Sequence, residues 1–265
     1  MKKYIDFYVT VIMLIALVSC KATSSKNSKV IEEKFFSNSL NEERKFKIYF
    51  PNNFEVQKKI PIVYTTDGQY VVDNYKNKLD SLIENNIISP LIIVGVFSNE
   101  REVNNTVFEY RSFEYLKNFG TDDTLLNQLY FKHKIFFLEE VQEFIKKKYN
   151  ISSVEDIFYG FSNGADFGYD ILINNCSKYD YYLLYSLTGS NRTQENKPNK
   201  ICNSKIFISY GLNENESLKE KSNIIKDSLK NNNYFIEVDV FNGKHNRKDW
   251  QQQFFKDLIK IDSKQ

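Results

Sequence analysis

Ile157-Phe158-Tyr159-Gly160-Phe161-Ser162-Asn163-Gly164 sets the frame for the whole chain. An apolar run of strand length enters a serine that has glycine two positions before it and two positions after it. Residues 165–175 then follow with helical character. A G-x-S-x-G pattern between a strand and a helix is a nucleophile elbow, a sharp turn that lifts the serine hydroxyl above the sheet edge. Glycines at 160 and 164 leave room for strand and helix to approach each other around that turn.

On either side of the elbow, apolar runs of strand length alternate with helical patterns. Residues 30–37 and 44–50 read as two opening strands, antiparallel across the polar turn at 38–43. Segments 60–65, 91–96, 181–187, 206–210 and 235–241 read as further strands. Val72, Tyr75, Leu79 and Leu82 mark one helical face, and Phe137, Leu138, Val141, Phe144 and Ile145 mark a second. Leu218, Ile225 and Leu229 mark a third, and 250–261 reads as a closing helix. Residues 97–129 carry no clear period and read as one polar-aromatic loop, a length that in a compact domain is functional or disordered. Alternating strands and helices predict an α/β fold: a mostly parallel sheet of about eight strands with helices on both faces.

A serine hydroxyl needs a base to take its proton. The chain has two histidines. In α/β-hydrolase folds, which such an elbow resembles, the chain order is serine, acid, histidine. His133 precedes Ser162 and reads as a surface or helix-end residue, so His245, on the loop between the last strand and the last helix, is the candidate base. The acid is expected just past a strand between them. Glu214, in Gly211-Leu212-Asn213-Glu214, is the candidate, with Glu216 as its rival and Asp239 inside the next strand. An oxyanion hole needs two backbone N–H groups. Asn163 is expected to supply one, and Gly68 or Gln69, on the loop after 60–65, the other. Arg101 and Arg111 on the long loop are candidate substrate-binding residues. Arg111 pairing with Glu114 to brace the loop is the alternative. Trp250 reads as a packing residue.

The N-terminus reads as an export signal. Lys2 and Lys3 precede an apolar stretch, residues 9–18, too short for a transmembrane helix. Leu17-Val18-Ser19-Cys20 resembles the lipobox of bacterial lipoproteins. Residues 1–19 would be removed and Cys20 lipidated, anchoring the chain to a membrane of the cell envelope. Residues 20–29 would form a polar tether and 30–265 the catalytic domain. With Cys20 consumed, Cys176 and Cys202 remain as an even pair, expected to form a structural disulfide outside the reducing cytoplasm. The two histidines lie far apart and the cysteines are isolated, so no zinc-type spacing is visible and neither metal nor cofactor is expected. The formal charge of +2 argues against a nucleic-acid partner. The basic run Lys146-Lys147-Lys148 reads as a solvated helix end.

The pattern resembles the esterase family that includes esterase D and the enterochelin esterases, within the α/β-hydrolase superfamily. The resemblance is carried by Pro61-Ile62-Val63-Tyr64 leading into Asp67-Gly68-Gln69, by Arg111-Ser112-Phe113-Glu114-Tyr115, by the elbow, and by Gly243-Lys244-His245 followed by Trp250. It runs from about residue 44 to about residue 258 of the chain. Ala165 stands where members often carry a second glycine, and Thr65 and Thr66 replace the usual apolar residues before Asp-Gly. The resemblance implies hydrolysis of carboxylic esters through an acyl-enzyme, with a small-molecule or glycan-linked ester as substrate. Two other readings stay open: an idle ligand-binding envelope lipoprotein on the same scaffold, or a peptidase or thioesterase using the same three residues.

Overall fold

Strands covered on both faces must be apolar along their whole length. In the computed structural model Ile92–Val96 and Tyr181–Tyr185 are buried at every position. The structure describes residues 27–52, 54, 59–103, 108–117, 119–120, 123–190 and 203–263. Eight strands form one sheet among them: β1 (Lys29–Ser37), β2 (Glu42–Phe50), β3 (Lys59–Thr65), β4 (Ile92–Val96), β5 (Ser152–Phe161), β6 (Tyr181–Tyr185), β7 (Lys205–Gly211) and β8 (Phe235–Phe241). Their order is β1-β2-β4-β3-β5-β6-β7-β8. β1 and β2 pair antiparallel, β2 runs antiparallel to β4, and every other pairing is parallel. The carboxyl ends of β3 to β8 therefore share one edge, and the elbow leaves that edge from β5, mid-sheet.

The helices divide between the two faces. Helices α1 (Gly68–Glu84) and α7 (Arg247–Asp262) cover one face, where Val72, Tyr75, Trp250 and Phe254 pack on Val63, Tyr159 and Leu183. The other face carries α3 (Thr124–Ile135), α4 (Val141–Tyr149), α5 (Asn163–Asn174) and α6 (Glu216–Asn231). There Tyr130, Val141, Phe167 and Ile225 pack on Tyr64, Phe158 and Leu184.

Three expectations need correction. The segment 97–129 is not one loop: a short helix α2 (Tyr110–Tyr115) and the start of α3 lie within it. The carboxylate of Asp123 caps α3, accepting from the amides of Leu125 and Leu126. The periodicity hid this helix because α3 turns Leu125, Phe131 and Ile135 to solvent while burying Tyr130 and His133. A π-helical turn, Phe136–Glu140, then joins α3 to α4 and breaks the helical phase. His133 is not at the surface. It is fully buried, its ring among those of Tyr115, Phe136, Phe137 and Phe167. Finally, the expected tether ends sooner than residue 29. Lys29 already pairs with Phe50, and the Ser28 hydroxyl donates to Asp80 (2.8 Å) while accepting from Lys76 (2.7 Å) on α1.

Candidate active site

The elbow is strained where its chemistry requires it. Ser162 adopts φ 54° and ψ −129°, a region that residues with a side chain rarely occupy. The Ser162 amide donates to the Tyr185 carbonyl (2.9 Å), and the Ser162 carbonyl accepts from Ala165 (2.9 Å), so the serine links β5, β6 and α5. A methyl group on Gly160 would run into the carbonyl of Gly164, and one on Gly164 into the Thr66 side chain. The two glycines of the pattern are thus required by close approach.

His245 lies on the loop from β8 to α7. Its Nε2 is 3.1 Å from Ser162 Oγ, and its Nδ1 is 3.3 Å from Glu214 Oε2. With Nδ1–H donating to Glu214, Nε2 is free to accept from the serine hydroxyl. The His245 loop is held by Asp249, whose carboxylate accepts from the Lys244 amide (2.7 Å) and the Asn246 side chain (2.7 Å). The indole of Trp250 meets the imidazole edge-on, with ring centroids 4.7 Å apart.

Glu214 is the carboxylate at His245. Its side chain is fully buried, and Oε1 accepts from the Gly211 amide (2.8 Å) and the Ser186 hydroxyl (2.6 Å). Burial pushes this carboxyl up, but donors from His245, Ser186 and Gly211 outweigh burial and hold it below the ordinary glutamate value. Gly211 and Gly243 lie backbone to backbone, so the acid loop and the histidine loop meet there. The Asn213 amide donates to the Gly243 carbonyl (2.9 Å). Glu216 stands apart on the first turn of α6, exposed and paired with Lys219 (2.6 Å). The carboxylate of Asp239 accepts from Gln253 and Lys260, each at 3.0 Å.

The loop after β3 reaches the serine from the other side. The Thr66 amide donates to the Tyr159 carbonyl (3.3 Å), tying this loop to β5 just before the elbow. Asp67 takes a left-handed conformation (φ 56°), and its carboxylate accepts both Nε (2.6 Å) and Nη2 (2.9 Å) of Arg111. The Asp67 amide donates to the Tyr115 hydroxyl (3.3 Å). Gly68 and Gln69 open α1, and Asn163 opens α5. First-turn amides have no acceptor within their own helix, and the starts of the two helices approach each other where Gly164 packs on Thr66 and Asp67. The Gln69 side chain is fastened to Ser98 by two hydrogen bonds (2.6 and 3.2 Å).

The two arginines differ in their contacts. Arg111 is committed to Asp67, and Glu114 pairs instead with Arg44 through both guanidinium Nη atoms. Arg101 is exposed, pairs with Glu42 (2.9 Å) and lies over the Tyr110 ring. It borders a cleft of about 840 Å³ that runs from Gln69 along Phe97, Ser98 and Asn99. Sequence reading missed Ser186, which has φ 54° and bridges Trp250 Nε1 (2.7 Å) to Glu214. It also missed Arg247, whose guanidinium stacks 3.3 Å from the Tyr70 ring centroid. A serine at a strand end and an arginine at a helix start carry no local signal for either contact. Cys20 and Cys202, the residues expected to carry the lipid and half of the disulfide, lie outside the described residues. Cys176 is buried in a 3₁₀ turn after α5.

Comparison with known proteins gives consistent matches. The model of the family described as "Putative esterase" matches residues 37–261. A curated relative, the uncharacterized protein YjcH of Bacillus subtilis (strain 168), is 32% identical over 84 residues. The aligned stretch spans 31% of this chain and about a third (35%) of that protein. Among solved structures, a ferulic acid esterase superposes with a TM-score of 0.70 at 16% identity, covering 89% of this chain and 98% of that one. An IroE-like serine hydrolase from Shewanella oneidensis gives 0.73 at 15%, covering 89% and 80%. An enterochelin esterase from Shigella flexneri gives 0.66 at 13%, covering 88% of this chain and 57% of that one. At these identities the likeness shows the α/β-hydrolase fold.

Proposed function

Because the chain belongs to the esterase family whose model spans residues 37–261, we propose that it is a serine carboxylic-ester hydrolase working through an acyl-enzyme. The observation that carries this reading is the hydrogen-bonded line Ser162–His245–Glu214, with the serine on a strained elbow. Ser162 Oγ attacks the ester carbonyl as His245 Nε2 takes its proton. Glu214 orients the imidazole and stabilises the imidazolium. The carbonyl oxygen becomes an anion, held by the amides of Asn163 and of Gly68 or Gln69. As this intermediate collapses, His245 returns the proton to the departing alcohol and the acyl group stays on Ser162. A water molecule then repeats the sequence, with His245 as base again, and releases the acid.

Anchoring to a bacterial membrane through a lipid on Cys20 is part of the proposal. It is supported by the lipobox-like Leu17-Val18-Ser19-Cys20. The solved structures it resembles include esterases of ferulic acid and of enterochelin, and a small-molecule or glycan-linked ester is the substrate class proposed for this chain. Hydrolysis of p-nitrophenyl acetate by the purified protein tests the reaction. Ser162→Ala should lower the rate by several powers of ten. A variant with wild-type turnover would overturn the mechanism. An active-site-directed fluorophosphonate separates the enzyme from an idle binding protein, because only the enzyme takes up the label at Ser162. Cys20→Ser should abolish lipid labelling and release the protein from the membrane fraction.

A further inference from the structure

The point where the described chain enters the fold and Ser162 lie at opposite edges of the sheet. The chain enters the fold at Ser28, pinned to Asp80 and Lys76 near the end of α1, and Lys29 pairs with Phe50 at the end of β2. β2 runs antiparallel to β4, with Tyr49 opposite Ile93. Ser28 therefore sits at the edge where the parallel strands begin. Ser162 sits where they end. The ten residues of β5 separate the two edges by roughly 30 Å.

We propose that this protein lies with the strand-start edge of its sheet against an anionic lipid surface and its catalytic edge turned away from it. The inference rests on the anchoring reading of Cys20. Seven residues lie between Cys20 and Ser28, and the eight Cα-to-Cα steps between them span at most about 28 Å when fully extended. A bilayer at the catalytic edge would demand the whole of that reach, whereas one at the strand-start edge needs only part of it.

The chemistry of this edge fits the same occupant. Ile87 precedes β4, Val154 is near the start of β5 and Phe235 begins β8, and their exposures are 46%, 55% and 53%. Apolar side chains spread along one edge can rest at the headgroup boundary. Lys146 and Lys147, in the last turn of α4, and Lys178, before β6, bring ammonium groups to that edge, where lipid phosphates attract them. Of the acids beside them, Asp156 lies 4.0 Å from Lys146, the Asp180 carboxylate accepts the Asp156 amide (2.8 Å), and Glu139 faces Lys178.

The consequence is a substrate class. Ser162 would face soluble or wall-linked esters arriving from the far side, and the acyl esters of the anchoring bilayer would be out of reach. The test uses the lipidated full-length chain in vesicles of phosphatidylethanolamine and phosphatidylglycerol, with an energy acceptor on the headgroups. An azide-bearing amino acid replaces Val154 or, separately, Leu212, which is 56% exposed just past β7 at the catalytic edge. Both positions carry the same donor dye. Quenching at position 154 should exceed that at 212 at least twofold. Equal quenching, or stronger quenching at 212, overturns the orientation. Protein that fails to float with the vesicles overturns it together with the anchor. The same vesicles should cleave added p-nitrophenyl acetate and leave their own phospholipids intact, and release of phospholipid fatty acid overturns the substrate assignment. Failure to cleave p-nitrophenyl acetate would count against the esterase reading alone, since the quenching comparison does not depend on turnover.

Discussion

The indole N–H of Trp250 donates to the hydroxyl of Ser186 at 2.7 Å, and that hydroxyl donates in turn to Glu214 at 2.6 Å. Glu214 therefore reaches His245 already aimed by a chain that starts in α7. Trp250 also stacks on Phe161, the residue before Ser162, with ring centroids 4.6 Å apart. One side chain thus locates both the acid and the elbow. Ser186→Ala leaves the indole N–H buried without its acceptor and removes one donor from Glu214. A loss of about 1.4 kcal/mol in transition-state stabilisation would lower kcat about tenfold. KM should change little, because neither residue is placed to touch the substrate. Steady-state kinetics decide, and a Ser186→Ala enzyme with kcat within twofold of wild type would remove the positioning role. Trp250→Phe keeps the stacked ring and loses only the N–H, so its effect should be smaller.

Arg111 and Asp67 form a two-pronged pair that fixes the loop before Gly68. The geometry assigns Arg111 to bracing. Arg111→Ala should then lower kcat on acidic and neutral esters by the same factor. Arg111→Lys should rescue poorly, since an ammonium cannot match both carboxylate oxygens at once. Arg101, exposed at the cleft, is the position where removal should alter the ratio of the two activities. A shift in that ratio with Arg111→Ala, at unchanged stability, would return Arg111 to substrate binding.

His133 makes stability depend on pH. Burial first, and the Arg44 guanidinium second, push its folded-state pKa well below the ordinary imidazole value, while Asp67 acts weakly the other way. The folded chain holds His133 neutral at pH values where the unfolded chain protonates it. Below about 6.5 the unfolded state binds the extra proton, so this contribution to stability is complete above that pH and is lost as pH falls. Asp166 and Asp257, both pushed up to about 6 by burial, act in the opposite sense between roughly pH 4 and 6. The wild-type curve alone therefore mixes two effects. Comparison with His133→Leu isolates one of them. Urea unfolding at pH 7.5 and pH 5 should show the variant gaining on wild type in acid. A stability gap that does not change between the two pH values would contradict this assignment.

How much was legible follows from how local each signal is. The strands β4 and β6 could be read because full burial demands unbroken apolar runs. Ser162 could be read because close approach at Gly160 and Gly164 forces a pattern of adjacent residues. His245 followed by elimination, since the only other histidine precedes the serine. Helix α3 could not be read, because its exposed face carries Leu125, Phe131 and Ile135 and the π-turn shifts the phase after it. The partners of Arg111 and Glu114 could not be read either. Asp67 lies 44 residues from Arg111 and Arg44 lies 70 from Glu114, and a guanidinium carries no local sign of which carboxylate it will meet.

The last expectation concerns Cys176 and Cys202. The Ser204 hydroxyl donates to the carbonyls of Cys176 (2.8 Å) and Tyr179 (2.7 Å), so the chain returns to the 3₁₀ turn just before β7. Cys202 is two residues from Ser204 and therefore within roughly 7 Å of it along the chain. A disulfide needs Cα atoms about 4.4–6.8 Å apart, a separation this reach permits. Cys176 and Ser204 belong to the strand-start edge of the sheet, away from Ser162, so a bridge there would be structural. In protein recovered from the envelope, unreduced peptide mass spectrometry should find 176 linked to 202. The bridge closes a loop of about 26 residues and should add about 2–4 kcal/mol, lost on Cys176→Ser. Alkylation of both thiols in denaturant without a reductant would show that the pair does not form.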